Sequence, residues 1–317
     1  MVYVGIDVGG TGIKIGVVDG AGKVLEHGET PTLVNRPYQE IIRDMGTCML
    51  DVLQKSGVSK DEVEAIGVGI PGIADNQTGV VIFCTNMAWR NVPLREELRK
   101  YLDKPIYIDN DATVAGLAES VCGVSMGSSS SVFMTLGTGV GGGIVLGGRP
   151  WSGFHGIGSE IGHIPMDIGG EPCSCGNDGC VERYCSATAV IRMGRQAASQ
   201  HPESLISTLC GGDMEKITAK TVFDAAKEGD DVAMKVFYRY VDYMCKAIDM
   251  IIAFLDPEVI VLGGGVSKAG DFLLGAIRER VPRYLLYKTM PYARVEIASL
   301  GADAGMIGAA MLGRKTK

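Results

Sequence analysis

Apolar and polar positions alternate at the start of the chain. Val2 to Asp7 is a short apolar run, and after Val8-Gly9-Gly10-Thr11-Gly12 the residues Ile13, Ile15 and Val17 alternate with Lys14 and Gly16. A period of two predicts a second strand, so the glycine-rich stretch between the runs is a turn joining two strands. Gly20-Ala21-Gly22 predicts the next turn and residues 23–30 a third strand. The period then changes: Ile41, Ile42, Met45, Met49 and Leu50 carry helical spacing through residues 38–55. A strand over 63–68 ending at Gly69-Ile70-Pro71-Gly72, a helix over 94–102, a strand over 106–108 and a helix over 112–119 follow.

The opening pattern then returns. Val132 to Leu136 leads into Gly137-Thr138-Gly139-Val140-Gly141-Gly142-Gly143, a strand over 144–146 and a Gly147-Gly148 turn. Strand, glycine-threonine-glycine turn and strand thus occur twice, which predicts a duplicated architecture of two related α/β halves around one cleft. A third strand-and-glycine unit, Val259 to Gly265, runs towards a helix near 272–280, and the segment 302–312 reads as a helix. At 317 residues the chain exceeds the size at which one core keeps growing. The expected division is a small α/β domain over 1–111, with residues 302–317 packing back onto it, and a large α/β domain over 112–301.

Composition narrows the functional classes. A net charge of -7 and an isoelectric point near 5.2 leave no basic footprint for nucleic acid or an anionic membrane. The early aspartate and absence of a basic leader argue against a signal peptide, and the longest apolar stretch, Met250 to Leu255, is too short to span a bilayer. Six of nine cysteines are scattered and read as small buried hydrophobes, so the expected location is the cytoplasm.

Two stretches suggest chemistry. Gly9-Gly10-Thr11-Gly12 offers consecutive backbone N–H groups with little side chain to block approach, a concavity suited to phosphate oxygens. A strand follows it, so it is neither a Walker A loop nor a dinucleotide fingerprint. Together with Gly137-Thr138-Gly139, and with Gly263-Gly264 at a strand end, it predicts a nucleotide site with Asp7 placed to hold Mg²⁺ through water. Lys14 is grouped with these residues. The second stretch is Asp109-Asn110-Asp111 at a strand-to-helix junction, where one carboxylate would serve as a cap. Asp111 is the candidate base for phosphoryl transfer to a sugar hydroxyl, with Asn110 donating to a neighbouring oxygen.

His163, Cys173, Cys175 and Cys180 fall within eighteen residues and supply the four ligands that a tetrahedral structural zinc requires. A disulfide or buried free thiols are the alternative. Gly176 and Gly179 would let the loop fold back. Glu160 and Glu182 flank the cluster, so the loop is expected to bring two carboxylates and an imidazole edge to a polar pocket.

Asp-Val-Gly-Gly-Thr at 7–11, Asn-Asp-Ala at 110–112, Gly-Thr-Gly at 137–139, Glu-x-Gly-His at 160–163 and Cys-x-Cys-Gly-x-x-Gly-Cys-x-Glu at 173–182 together resemble the bacterial ROK-family sugar kinases. Ser152-Gly153-Phe154-His155-Gly156 and Ser186-Ala187-Thr188 are most similar to the glucokinases among them. The resemblance spans essentially the whole chain. It implies the actin/hexokinase-like ATPase fold, ATP with Mg²⁺, structural Zn²⁺ on His163 and the three cysteines, and a homodimer or dimer of dimers. It implies Asp111 as base, and Asn86, Asn110, Glu160, His163 and Glu182 as sugar ligands, with Gly72 in a Pro-Gly turn beside them. Thr113 departs from the family pattern, which commonly has Asn there, so sugar preference is open among glucose, mannose, allose, fructose, N-acetylmannosamine and N-acetylglucosamine. A repressor of the same family would carry a DNA-binding region ahead of Val2, and a chaperone-type ATPase of the same fold would not need the zinc loop.

Overall fold

The computed structural model describes residues 1–314. In chain order its strands are β1 (Val2–Val8), β2 (Gly12–Asp19), β3 (Val24–Pro31), β4 (Val63–Ile70), β5 (Ile73–Asp75), β6 (Val80–Cys84), β7 (Trp89–Val92), β8 (Ile106–Asn110), β9 (Ser130–Leu136), β10 (Val140–Leu146), β11 (Arg149–Pro150), β12 (Val259–Gly263) and β13 (Arg294–Ile297). One five-stranded sheet has the order β3-β2-β1-β4-β8, and a second has the order β11-β10-β9-β12-β13. The two orders correspond position for position, which is the duplication that the repeated glycine turns predict. The chain divides into two compact units. The first comprises Met1–Phe133, Gly143–Ser159 and the segment from Ser299, and the second comprises Met134–Gly142 and Glu160–Ala298.

In the first unit, β1 pairs antiparallel with β2 and parallel with β4. Successive side chains of a strand point to opposite faces. On one face Val4, Ile6 and Val8 join Ile13, Ile15, Ile41, Met45 and Met49 in a core closed by helix Tyr38–Ser56. The other face is bare backbone: a methyl added to Gly5 or Gly67 would overlap the carbonyl oxygens of Met306 and Ala309. Helix Ala304–Met311 therefore lies directly on β1 and β4. A methyl at Gly308 would in turn overlap Val114 O, so this helix also packs backbone to backbone on helix Asp111–Cys122.

This packing corrects the expected break after residue 111, since helix Asp111–Cys122 belongs to the first unit. Its far end is clamped as well. Glu119 is fully buried and accepts N–H bonds from Val124, Ser299 and Leu300 at 2.9 Å each, plus the Ser299 hydroxyl at 3.1 Å. The second glycine turn is also shorter than expected, because β10 begins at Val140 and takes in all three following glycines. A methyl at Gly143 would sit 2.6 Å from Ala112 O, so Gly143 is a glycine for close helix approach and not for turning. The small sheet β5-β6-β7, which periodicity did not disclose, is an antiparallel meander.

In the second unit, Asp230 caps helix Asp231–Leu255 by accepting the Ala233 N–H at 2.7 Å. The helix packs on Ala187–Gln200, Ala219–Lys227 and Asp271–Arg280. No helix among the described residues is long and apolar enough to cross a membrane.

Replacing Gly67 or Gly308 with alanine should destabilise the protein by about 3 kcal/mol or more, because the obstructing atoms are backbone and have no rotamer to yield. Gly10→Ala, where a methyl meets nothing within 4 Å, should leave the melting temperature nearly unchanged. Thermal melts of the three variants check this.

Candidate active site

The first unit brings together most of its predicted residues around the C-terminal ends of β1, β4 and β8. The turn after β1 closes with Gly9 N–H on Gly12 O at 2.9 Å. Thr32, which sequence reasoning missed, holds the turn from outside. Its hydroxyl donates to Gly9 O at 2.6 Å and its N–H donates to Thr11 O at 3.2 Å. Gly10 faces open space, which leaves room for an oxyanion against the backbone.

Asp7 lies one residue from the end of β1 and is paired in register with Lys14. Burial, and then the charge of Asp111, push its pKa up to about 6, and Lys14 partly opposes this. A buried carboxylate raised further by a second one, beside an open turn, fits a hydrated divalent cation. Lys14 itself reaches the C-terminal segment, donating to Ala302 O at 3.0 Å with Asp303 at 3.6 Å.

The three polar residues closing β8 divide into three jobs. Asp109 is buried and structural: the Ser152 hydroxyl lies at 2.8 and 2.9 Å from its two oxygens, and Asn110 N–H donates to it at 2.8 Å. Asn110 is the helix cap, accepting Ala112 N–H at 2.9 Å and Thr113 N–H at 3.3 Å, while its amide donates to Gly72 O at 3.3 Å. Asp111 is left half-buried, with one oxygen accepting Ala112 N–H at 2.8 Å and a pKa raised by burial. Gly72 has φ +119° and abuts Phe83 O, which sets the Pro-Gly turn against β6. Asn86 is exposed in the single turn Thr85–Met87 that follows. The Thr113 hydroxyl is buried with no partner among the described residues.

In the second unit the turn Gly137-Thr138-Gly139 closes with Gly137 N–H on Gly139 O at 3.0 Å. Ala187 N–H donates to Gly137 O at 2.8 Å, and the Thr188 hydroxyl donates to Thr138 O at 2.7 Å. Glu182 borders the same turn, accepting Val140 N–H at 3.0 Å and occupying the space beside Gly139. Gly264, with φ +83°, lets the end of β12 approach Leu136, where a methyl would lie 2.6 Å from the carbonyl oxygen. A short helix, Gly264–Ser267, starts there directly, so Gly263 and Gly264 form a strand-to-helix junction.

Glu160 precedes the 3₁₀ turn Ile161–His163 and is exposed; His163 N–H donates to Glu160 O at 3.0 Å. The ligand atoms of His163, Cys173, Cys175 and Cys180 all lie within 4.8 Å of one another. His163 Nδ1 is 3.6 Å from Cys173 Sγ, and Cys175 Sγ is 3.6 Å from Cys180 Sγ. Zn–S bonds of about 2.3 Å give a tetrahedral S–S edge of about 3.8 Å, and a mixed N–S edge of about 3.5 Å. The pocket fits zinc in both donor type and size. Gly176 (φ +97°) and Gly179 (φ +70°) make the fold-back that the sequence predicts. The Asn177 N–H draws the Cys175 thiol down to about 7, while burial pushes Cys180 up to about 12, so a dication must displace protons here.

The model of the ROK family matches residues 3–316. The chain belongs to the ROK family. Its fold is accordingly the actin/hexokinase-like one. It is 37% identical to a glucokinase of Thermotoga maritima over 310 residues, covering 98% of this chain and 96% of that one. It is 39% identical to a glucokinase of Halalkalibacterium halodurans, covering 98% and 94%. Among solved structures, a ROK glucokinase of Streptomyces griseus in complex with glucose and AMPPNP superposes with a TM-score of 0.83 at 33% identity, covering both chains completely.

The raised pKa of Asp7 carries a stability cost. Its folded value exceeds its unfolded one, so folding favours the protonated form and stability falls as pH rises from 3.8 to about 6. Asp7→Asn should therefore stabilise the ligand-free protein at pH 7.5 by on the order of 1–3 kcal/mol and have little effect below the unfolded value. Melting curves at the two pH values check the sign.

Proposed function

We propose that this ROK protein is an ATP-dependent hexokinase that phosphorylates glucose to glucose 6-phosphate. The observation that carries the reading is Asp111: of three polar residues closing β8, it alone is neither consumed as a cap nor buried under a partner hydroxyl. The glucokinase relatives and the glucose- and AMPPNP-bound family structure supply the reaction and the substrate class.

In this reading the carboxylate of Asp111 accepts the proton of the sugar O6 hydroxyl as that oxygen bonds to the γ-phosphorus. The bond from γ-phosphorus to the bridging oxygen breaks, and ADP leaves with the electron pair. Asn110, Asn86, Glu160, His163 and Glu182 hold the other ring hydroxyls, and Gly72 orients Asn110 through its carbonyl. Gly10, Thr11, Thr138 and Gly139 would supply backbone N–H groups to the phosphates, Gly9 and Gly137 close the two turns through their own N–H groups, and the Gly263-Gly264 junction leaves space for the base. Asp7 would hold Mg²⁺, which neutralises phosphate charge when bound. Zinc on His163 Nδ1 and the three cysteines would fix the ring so that its other nitrogen faces the sugar. Lys14 supports the first turn through the C-terminal segment. The working form is assigned as a homodimer in the cytoplasm, on the strength of the family resemblance.

A coupled ADP-release assay across a panel of hexoses and N-acetylated amino sugars tests the reading; turnover highest on an N-acetylated sugar would move the assignment. Asp111→Ala should lower glucose-dependent turnover by at least about a hundredfold while glucose binding stays measurable. Because burial raises the pKa of Asp111 in the ligand-free protein, the acid limb of kcat/KM should fall at a pH above the 3.8 of an ordinary aspartate. Cys175→Ser, or prolonged chelation, should remove zinc and sugar phosphorylation together; elemental analysis finding no zinc in protein purified without chelator would count against the metal site.

A further inference from the structure

Both glycine turns are held by the same device. At the first, the Thr32 hydroxyl donates to Gly9 O at 2.6 Å and a main-chain N–H, that of Thr32, donates to Thr11 O at 3.2 Å. At the second, the Thr188 hydroxyl donates to Thr138 O at 2.7 Å and a main-chain N–H, that of Ala187, donates to Gly137 O at 2.8 Å. Each turn thus has two of its carbonyls engaged from one side.

A peptide unit is planar and trans, so its C=O and N–H point in opposite directions. Engaging Gly9 O and Thr11 O directs the N–H groups of Gly10 and Gly12 away from Thr32. Engaging Gly137 O and Thr138 O directs the N–H groups of Thr138 and Gly139 away from the start of helix Ala187–Gln200. A glycine-rich turn without such contacts would sample many peptide orientations, and aligning its donors would cost conformational entropy when an anion binds. The neighbouring Val140 N–H is already taken by Glu182. In the second turn, that leaves Thr138, aimed through the Ala187 N–H, and Gly139, aimed through the Thr188 hydroxyl.

We infer that Thr32 and Thr188 are positioning residues, each pre-aiming backbone N–H groups of the turn in its own unit for a nucleotide phosphate. The inference rests on the nucleotide-binding half of the proposed function and extends it to residues that touch neither substrate. Thr188 is exposed and Thr32 fully buried, so the first can be altered with little consequence for the core.

The test is calorimetric binding of Mg²⁺–AMPPNP without sugar, and of glucose without nucleotide. Thr188→Val keeps the shape and removes the hydroxyl. It should weaken AMPPNP roughly five- to tenfold, the effect of one lost hydrogen bond, and leave glucose affinity and the melting temperature unchanged. Thr188→Ser should restore AMPPNP binding. Thr32→Val should weaken AMPPNP in the same way, with some loss of melting temperature because Thr32 is buried, and Thr32→Ser should restore both. Should a valine variant melt early, Thr188→Ala removes the same hydroxyl with a residue that helices tolerate well. Unchanged AMPPNP affinity in the hydroxyl-less variants overturns the inference, as does an equal loss of glucose affinity or failure of serine to rescue. A wild-type protein that binds AMPPNP but phosphorylates no sugar would sink the kinase reading while this comparison still decides the latches. A wild type that binds no AMPPNP sinks both.

Discussion

Close approach of backbone to backbone, available only where side chains are missing, sets the position of everything in the first unit. Gly5 and Gly67 let helix Ala304–Met311 rest on the central strands, and Gly308 lets it touch helix Asp111–Cys122. Gly143 admits that second helix against β10. The first residue of the helix is Asp111, so the candidate base inherits its coordinates from three layers whose spacing is fixed by main-chain contact. Interfaces of this kind have few softer modes to relax into. Buried Glu119 completes the arrangement by binding the returning chain at Ser299 and Leu300 to the other end of the same helix.

The acidic residues around the site are distinguished by partners and not by type. Asp109 is buried deeply but satisfied by Ser152 and a backbone amide. Burial raises the proton affinity of both Asp7 and Asp111, and the charge of Asp111 adds to the effect on Asp7. A protein that needed only stability would not keep such a pair. A cation beside Asp7 or a proton gained by Asp111 would offset that cost of burial, and the phosphoryl transfer proposed above supplies both.

The duplicated topology was legible because two glycine-threonine-glycine turns each sit between alternating strands. The histidine-cysteine cluster was legible because its spacing is unusual and its glycines are needed for φ > 0. The roles of Asp109, Asn110 and Asp111 were separable only in part, since one sequence signal, a polar cluster at a helix start, serves capping, burial and catalysis alike. Many glycines were misread for a physical reason. Missing side chains permit both turning and close packing, and the sequence of Gly141 to Gly143 looks the same in either case. Thr32 and Glu119 gave no signal, because their partners lie on carbonyls and amides whose positions only the fold defines. Ser186-Ala187-Thr188 entered only through the family resemblance; that Ser186 caps a helix, and which turn Thr188 meets, the fold alone shows.

The second latch differs from the first in where it comes from. Thr32 follows directly on β3, whereas the equivalent strand of the other sheet, β11, ends at Pro150, and the chain runs through the whole histidine-cysteine loop before Thr188 arrives. The repeat has therefore been solved twice with unlike parts. Insertion and latch are one continuous piece of polypeptide, and Glu182 within it also borders the turn. Under the sugar-binding role proposed for this loop, a lineage that lengthens or reshapes it to accept a different sugar must land the helix start in the same place. Substrate range in such a chain should evolve by substitution inside a loop of fixed span more readily than by changes in its length.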